Sequence, residues 1–260
     1  MGAIQLSQSA AQLYEREFVP ALFAQWPPQL CDAAEIAAGD RVLDAGCGTG
    51  VLAREAANRC GHASNVTGLD LNESMLAVAK SITPEIEWRV GDVLDLPFPE
   101  DAYDVVASQF VLMFVPDRVT ALKEMWRVLA PGGRLAVAVW SDSPAYSALA
   151  EIAHRQGAEQ VAASFEDPFD LGDQAKALDL FNDAEIPDVR LETRDGSVRF
   201  ASIDEFIRVE IRGWILADAL DEAAHEALLA EARHRLAEFC ESDGRIVFPM
   251  NAHIITAHKS

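Results

Sequence analysis

The chain has 260 residues, enough for one substantial α/β core with extra helices, or at most two small domains. Half of its residues are hydrophobic and the mean hydropathy is +0.04, a balance too apolar for general disorder and too interrupted for membrane spans. The 42 Asp and Glu outnumber 21 Lys and Arg, for a net charge of −21. That excess disfavours polyanions, because nucleic-acid binding relies on cations meeting phosphates, and no basic patch interrupts the acidic background.

Cys31, Cys47, Cys60 and Cys240 lie far apart and form no CxxC pair, as expected of reduced thiols rather than a zinc site, and the six histidines are also scattered. Nothing therefore calls for a metal. The N-terminus has no basic segment followed by an apolar stretch, so no secretory signal is expected and the expected location is cytoplasmic.

From Leu6 to Phe23 apolar residues recur at roughly helical spacing, with Pro20 able to begin a new helix, and Pro27 and Pro28 break this prelude. A short helical stretch runs to Ile36, and Ala38-Gly39-Asp40 turns into a first strand, Arg41 to Ala45. Strands then alternate with helices. The strands are read near Asn65 to Leu69, Ile86 to Val90, Tyr103 to Ser108 and Leu135 to Trp140; the helices begin at Val51, Glu73, Asp117 and Ser143. Short apolar strands separated by helices imply an α/β fold with a mostly parallel sheet covered on both faces.

Past Ser141 helical patterns dominate, from Ala145 to Ala163 and from Asp173 to Asn182. A strand pair or hairpin follows at Val189 to Phe200, where Asp195-Gly196 suits a tight turn. Helical segments Ile203 to Leu216 and Asp221 to Phe239 precede a last strand, Ala252 to His258. Without repeats or low-complexity linkers, the expected organisation is a single domain over 1–260. It divides into an N-terminal helical prelude (1–38), a cofactor-binding core (39–200), a helical cap (201–250) and the last strand (251–260).

The chemistry is concentrated in VLDAGCGTG, Val42 to Gly50, where a strand runs into Gly46, Gly48 and Gly50 just as a helix begins. Glycine permits positive φ, close backbone approach to a ligand, or close helix–strand packing, and open α/β sheets bind ligands at the carboxyl ends of their strands. Asp70 ends the second strand 20 residues after Gly50, the separation at which a carboxylate accepts hydrogen bonds from ribose hydroxyls. The alternative for Asp70 is an N-cap of the helix at Glu73. A dehydrogenase competes, but the spacing is G-x-G-x-G rather than G-x-G-x-x-G, and Asp44 stands two residues before the first glycine, both of which weaken a pyrophosphate reading.

The segments VLDAGCGTG, GLDLNESMLAVAK, WRVGDVLDLPFPEDAYDVV, QFVLMFVPD and RVLAPGGRLAVAVW resemble, in order and spacing, successive motifs of class I S-adenosylmethionine (SAM)-dependent methyltransferases. The nearest subgroup is the type 11 set that includes ubiquinone and menaquinone methyltransferases. The resemblance implies a Rossmann-like seven-stranded sheet with its last strand antiparallel, and SAM as cofactor. It implies that Asp44, Gly46, Cys47 and Gly48 line the methionine moiety, that Asp70 binds the ribose, and that Leu71 and Met75 lie against the adenine. Asp92 and Val93 would meet the adenine edge, although Asp95 could take the part of Asp92, and Gln109 would lie near the sulfonium.

Methyl transfer from a sulfonium is an in-line displacement that needs positioning and water exclusion, so no catalytic constellation is required. His62 and His253 are the candidates for a base, and each is read as an ordinary surface or satisfied histidine. Candidate acceptor-pocket residues are Phe18, Trp140, Tyr146, Arg212 and Trp214, with Tyr14 folding over the cofactor as in similar enzymes. The expected acceptor is a small molecule. An RNA or protein methyltransferase and a non-catalytic SAM-binding protein are the alternatives.

Overall fold

The computed structural model describes residues 7–213 and 222–260. Leu6, Trp214 and the Arg212 side chain lie outside the described residues, as do parts of both cap helices expected from sequence.

The chain opens with helix α1 (Gln8–Leu13), which continues into a wide, π-type helix, Tyr14–Phe23. Pro20 lies inside this second helix rather than starting a new one. Pro27 and Pro28 do not end the prelude either: they occupy the first turn of α2 (Trp26–Ala33), where a missing N–H costs nothing.

Seven strands then form one sheet: β1 (Val42–Ala45), β2 (Val66–Asp70), β3 (Glu87–Val90), β4 (Tyr103–Gln109), β5 (Leu129–Asp142), β6 (Arg190–Arg194) and β9 (Asn251–His258). Their order is β3-β2-β1-β4-β5-β9-β6. The pairs from β3 through β5 are parallel, and β9 is antiparallel to both its neighbours, β5 and β6. The seven-stranded sheet with an antiparallel last strand is therefore as expected. β1, buried along its whole length, stands near the middle, as an apolar strand covered on both faces must.

Helices α3 (Val51–Cys60), α4 (Glu73–Ile82) and α5 (Arg118–Val128) connect the parallel strands. Helices α6 (Pro144–Arg155), α7 (Glu159–Glu166) and α8 (Gln174–Asp183) lead from β5 to β6. In β5 the Pro131-Gly132-Gly133 segment interrupts the ladder with β4 as an irregularity, after which pairing resumes at Val105 opposite Arg134.

The expected hairpin over Val189 to Phe200 is not formed. β6 joins the main sheet beside β9, whereas β7 (Ser197–Phe200) turns away and pairs with β8 (Ile246–Pro249) in a separate two-stranded sheet. Gly196 marks the parting because a Cβ there would come within 2.3 Å of the Trp26 ring, so the residue serves close packing rather than a hairpin turn. The insert before β9 holds α9 (Ile203–Gly213) and α10 (Glu222–Arg235) and also contributes β8, so it is not purely helical.

Two aromatic groups explain where three expected acceptor residues went. Trp140 is stacked on Phe110 with ring centroids 3.5 Å apart, and Phe23 and Trp26 pack against both rings. Tyr146 lies among Phe165, Phe169, Phe206 and Phe248 and donates a 2.5 Å hydrogen bond to the buried carboxyl of Glu210. Phe18 is fully buried in the main core beside Tyr14. His253 is also a core residue, held between the Thr193 hydroxyl and the Gly172 carbonyl, whereas His62 is exposed after α3.

Candidate functional site

At the carboxyl ends of β1, β2 and β4 the fold leaves a cavity of about 1050 Å³. The loop after β1 forms its floor, and buried hydrogen bonds fix that loop. The Gly46 and Cys47 N–H groups both donate to the Leu69 carbonyl at the end of β2, at 2.8 and 2.9 Å. Gly48 N–H donates to Asp70 Oδ2 at 2.8 Å, and Ala53 N–H, in the first turn of α3, donates to Asp44 Oδ2 at 2.9 Å. Two carboxylates thus fasten the loop to its strand and its helix.

The three loop glycines differ in purpose. All have positive φ, but a Cβ at Gly46 would lie 2.5 Å from Val111 and one at Gly50 would lie 2.3 Å from the Trp88 ring. Those two serve packing. A Cβ at Gly48 would meet no atom within 4 Å, so its space opens into the cavity.

Asp70 is not the N-cap of α4. Asn72 is, accepting from Ser74 N–H and Met75 N–H. Asp70 accepts backbone amides from Gly48 at Oδ2 and from Asn72 at Oδ1, each at 2.8 Å, with the Leu71 amide also turned to it, and the carboxylate keeps acceptor capacity for a ligand hydroxyl. Burial raises its pKa despite these amides. Asp44 is 1% exposed, and burial pushes its carboxyl up to about 8, with the Ala53 amide opposing and the neighbouring Asp70 charge adding to the rise.

All eleven residues expected to bind cofactor, Tyr14, Asp44, Gly46, Cys47, Gly48, Asp70, Leu71, Met75, Asp92, Val93 and Gln109, line this one cavity. Asp92 faces it while accepting from Leu94 N–H, whereas Asp95 is exposed outside the lining. Tyr14 closes one side, its ring 5.1 Å from that of Phe23, with burial and the Asp70 charge raising its hydroxyl pKa. Of the candidate acceptor residues, Phe18, Trp140 and Tyr146 lie outside the lining, and the remainder fall outside the described side chains.

Several lining residues were not singled out from sequence. After Gln109 the chain turns sharply at Phe110, a bulky residue at φ +58°, a conformation costing roughly 1–3 kcal/mol that persists only where packing imposes it. The Trp140 stack and the edges of Phe23 and Trp26 supply that packing. The turn sends Met113 to Val119 along the cavity wall, which Asp167, Asp170 and Leu180 also line. The apolar run Phe110 to Val115 reads as core-strand length, and only its position after β4 hinted otherwise.

The cavity suits a cationic nucleoside. Its lining holds six aspartates, Asp44, Asp70, Asp92, Asp117, Asp167 and Asp170, against one cation, Arg118, a balance hostile to a pyrophosphate and favourable to a sulfonium and an ammonium. Among the described residues, Asp44 Oδ1, Thr49 Oγ1 and Gln109 Oε1 are buried polar atoms without a hydrogen-bond partner. Such atoms await a ligand's polar groups. The open space over Gly48 completes the fit. No group of three or more metal-ligating side chains occurs among the described residues.

Fold and site together define the class as an open α/β enzyme that holds a nucleoside cofactor at its strand ends. A family described as a methyltransferase domain matches residues 43–137. The chain is 37% identical over 153 residues to a 2-phytyl-1,4-naphtoquinone methyltransferase of Thermosynechococcus vestitus, a match spanning 56% of this chain and 68% of that protein. It is 36% identical over 118 residues to a demethylmenaquinone methyltransferase of Lactobacillus johnsonii, covering 43% of this chain but only 48% of that relative. The fold is also that of Haemonchus contortus phosphoethanolamine N-methyltransferase 2, solved with S-adenosylhomocysteine, at TM-score 0.61 and 19% identity over 97% of this chain and 57% of that one. The chain belongs to the SAM-dependent methyltransferases, and its cofactor is SAM.

Two outcomes follow for the loop. Gly50→Ala drives a methyl group into Trp88 and should lower the apo melting temperature by the equivalent of about 1–3 kcal/mol. Gly48→Ala costs the apo fold only the left-handed backbone, roughly 1–2 kcal/mol, yet should weaken S-adenosylhomocysteine by at least about tenfold in calorimetry. Equal S-adenosylhomocysteine affinity in Gly48→Ala and wild type would contradict the division.

Asp44 makes a pH prediction. With a folded pKa near 8 and an unfolded value of about 4, the native state holds a proton that the unfolded chain has lost throughout that window. Apo stability should therefore be greatest below the window and fall by up to ~1.4 kcal/mol per pH unit as pH rises through it. Asp44→Asn cannot titrate, so its melting temperature should gain on wild type between pH 5 and pH 8 on the order of several degrees. Parallel curves would show that Asp44 is ionised in the apo protein.

Proposed function

We propose that this chain transfers the methyl group of SAM to a small, largely apolar ring acceptor of the quinol type. The observation that carries this reading is the continuity of one cavity, which runs from Asp44, Asp70 and Asp92 around the cofactor loop to an outer stretch where Met113, Val115, Val119 and Leu180 stand among Asp117, Arg118, Asp167 and Asp170. The quinone substrates named for both curated relatives point the same way. The wall Met113 to Val119 lies within the matched residues 43–137, whereas Asp167, Asp170 and Leu180 lie beyond them, so the acceptor is read from this chain's own cavity.

SAM supplies an electrophilic methyl group on a cationic sulfur. The protein's part is to bind and orient. Asp70 would accept from the ribose hydroxyls, Asp92 would accept from the exocyclic amine, and Leu71, Met75 and Val93 would hold the adenine. Asp44 and the Gly46, Cys47 and Gly48 backbone would hold the methionine moiety, with Tyr14 as its cover against water. The unpartnered Gln109 Oε1 stands at the end of β4, where cofactor and acceptor halves meet. No residue need supply covalent catalysis, because holding two reactants in line is worth about 7–11 kcal/mol over the free encounter.

The net charge of −21 and the six lining aspartates support a small acceptor over RNA, and the absence of any described helix able to cross a membrane is compatible with a cytoplasmic single-domain enzyme. The test is incubation with methyl-labelled SAM and either reduced 1,4-naphthoquinone, bulk tRNA or bulk protein. The expected result is label in the naphthoquinol with stoichiometric S-adenosylhomocysteine, and none in the macromolecules. Label in tRNA or protein alone would overturn the small-molecule reading.

A further inference from the structure

From Ser7 to Glu17, the stretch that brings Tyr14 to the cavity, only Ala11 is buried, whereas from Phe18 onward the prelude sinks Phe18, Leu22 and Phe23 into the core. The first stretch rests on α4 through a small cluster in which Tyr14 packs on Ala11, Met75 and Val78. So little buried apolar area makes it the weakly held end of the prelude, and its polar bonds decide how firmly Tyr14 stays over the cavity.

The residue after Tyr14 makes such a bond. Glu15 Oε1 accepts from Arg54 Nη2 at 2.7 Å, with the two side chains 21% and 22% exposed. The other carboxylate oxygen, Oε2, is buried without a partner, so the pair with Arg54 is what offsets the loss of hydration. Arg54 stands in the first turn of α3, and its other terminal nitrogen, Nη1, donates to the Thr49 carbonyl at 2.7 Å. Thr49 lies between Gly48 and Gly50 in the loop after β1, is 1% exposed and lines the cavity. The Arg54 amide holds the same turn by donating to the Gly50 carbonyl at 2.9 Å. One planar guanidinium thus spans the floor of the cofactor site and the base of its cover, a two-ended grip for which the rigid fork of arginine is suited and a lysine ammonium is not. The second ion pair of the same helix, Glu17 with Arg208 at 2.9 Å, reaches α9, and neither residue lines the cavity.

We propose that Arg54 is a positioning residue for the cofactor: by gripping Glu15 and the Thr49 carbonyl together, it holds Tyr14 over the methionine end of the site and sets how long the cofactor stays. The inference rests on the reading above in which Tyr14 covers the methionine moiety, and it adds the residue that keeps the cover in place. A bond that must break before the ligand departs slows its release, and residence time is where most differences in affinity arise.

The test is the rate at which labelled S-adenosylhomocysteine leaves the full-length protein when chased with excess unlabelled compound. Glu15→Gln and Arg54→Met should each speed release by about 5- to 20-fold, between the value of an exposed ion pair and that of a buried hydrogen bond to a charged group. Arg54→Lys, which keeps the charge without the fork, should fall between these variants and wild type. In a Tyr14→Ala background, where release is already fast, Glu15→Gln should add less than about twofold, because the two changes remove one coupled unit. Glu17→Gln, which cuts the other ion pair of the helix, should change release by less than about twofold. Unchanged release in Glu15→Gln or in folded Arg54→Met overturns the proposal. The same acceleration by Glu15→Gln in the Tyr14→Ala background also overturns it, since Arg54 would then not act through Tyr14. An equal effect of Glu17→Gln does so too, because loosening the helix at any point would suffice. Glu15→Gln is isosteric and part-exposed, so it decides the question even where Arg54→Met fails to fold. A wild type that binds no S-adenosylhomocysteine overturns the cofactor reading and this inference with it.

Discussion

The capture of backbone amides by two buried carboxylates is the constraint on which the site depends. Asp44 ends its strand holding the first turn of α3, and Asp70 ends the next strand holding Gly48. These bonds join the Gly46 and Cys47 amides on the Leu69 carbonyl in fixing the path of the loop between β1 and α3, whose three glycines carry no side chains to pack. The arrangement places two acids in a poorly solvated spot, where burial raises the proton affinity of both and the Asp70 charge adds to that of Asp44. A cation arriving between them relieves that cost. Loop architecture and ligand preference are therefore one feature.

The cavity wall after β4 is built on a different principle. There the chain is bent by Phe110 in a left-handed conformation, and the strain is held by an aromatic group behind it: Phe23 and Trp26 from the N-terminal helices, Trp140 from β5. The prelude consequently does two jobs, since Tyr14 faces the cavity on one side while Phe23 and Trp26 support its rear. Ion pairs from Glu15 to Arg54 and from Glu17 to Arg208 bind the same helix to α3 and to α9. The insert before β9 thus reaches the site through the prelude, and none of its described residues lines the cavity.

The cofactor half was legible in the sequence because it is local. One strand, one glycine loop and acids at successive strand ends lie within 70 residues of chain, and their spacing maps directly onto the carboxyl edge of a parallel sheet. Even there, spacing could not distinguish Gly48, which faces open space, from Gly46 and Gly50, which make room for Val111 and Trp88. The outer half of the cavity was not legible because it is assembled from distant segments. Trp140 and Tyr146 are aromatic residues at plausible positions, but an aromatic side chain fits a core as well as a pocket, and here both fill cores. The pairing of β7 with β8 was hidden for the same reason, since Gly196 answers to Trp26, 170 residues away in sequence.

The central claim, that two acids and a glycine cradle make this a site for a cationic nucleoside and not for a dinucleotide, is tested most directly by calorimetry on the wild-type protein with SAM, S-adenosylhomocysteine and NAD. The account predicts one site per chain for both sulfur compounds and no measurable heat of binding with NAD. Tight NAD binding, or no binding of either sulfur compound to the folded protein, would contradict it.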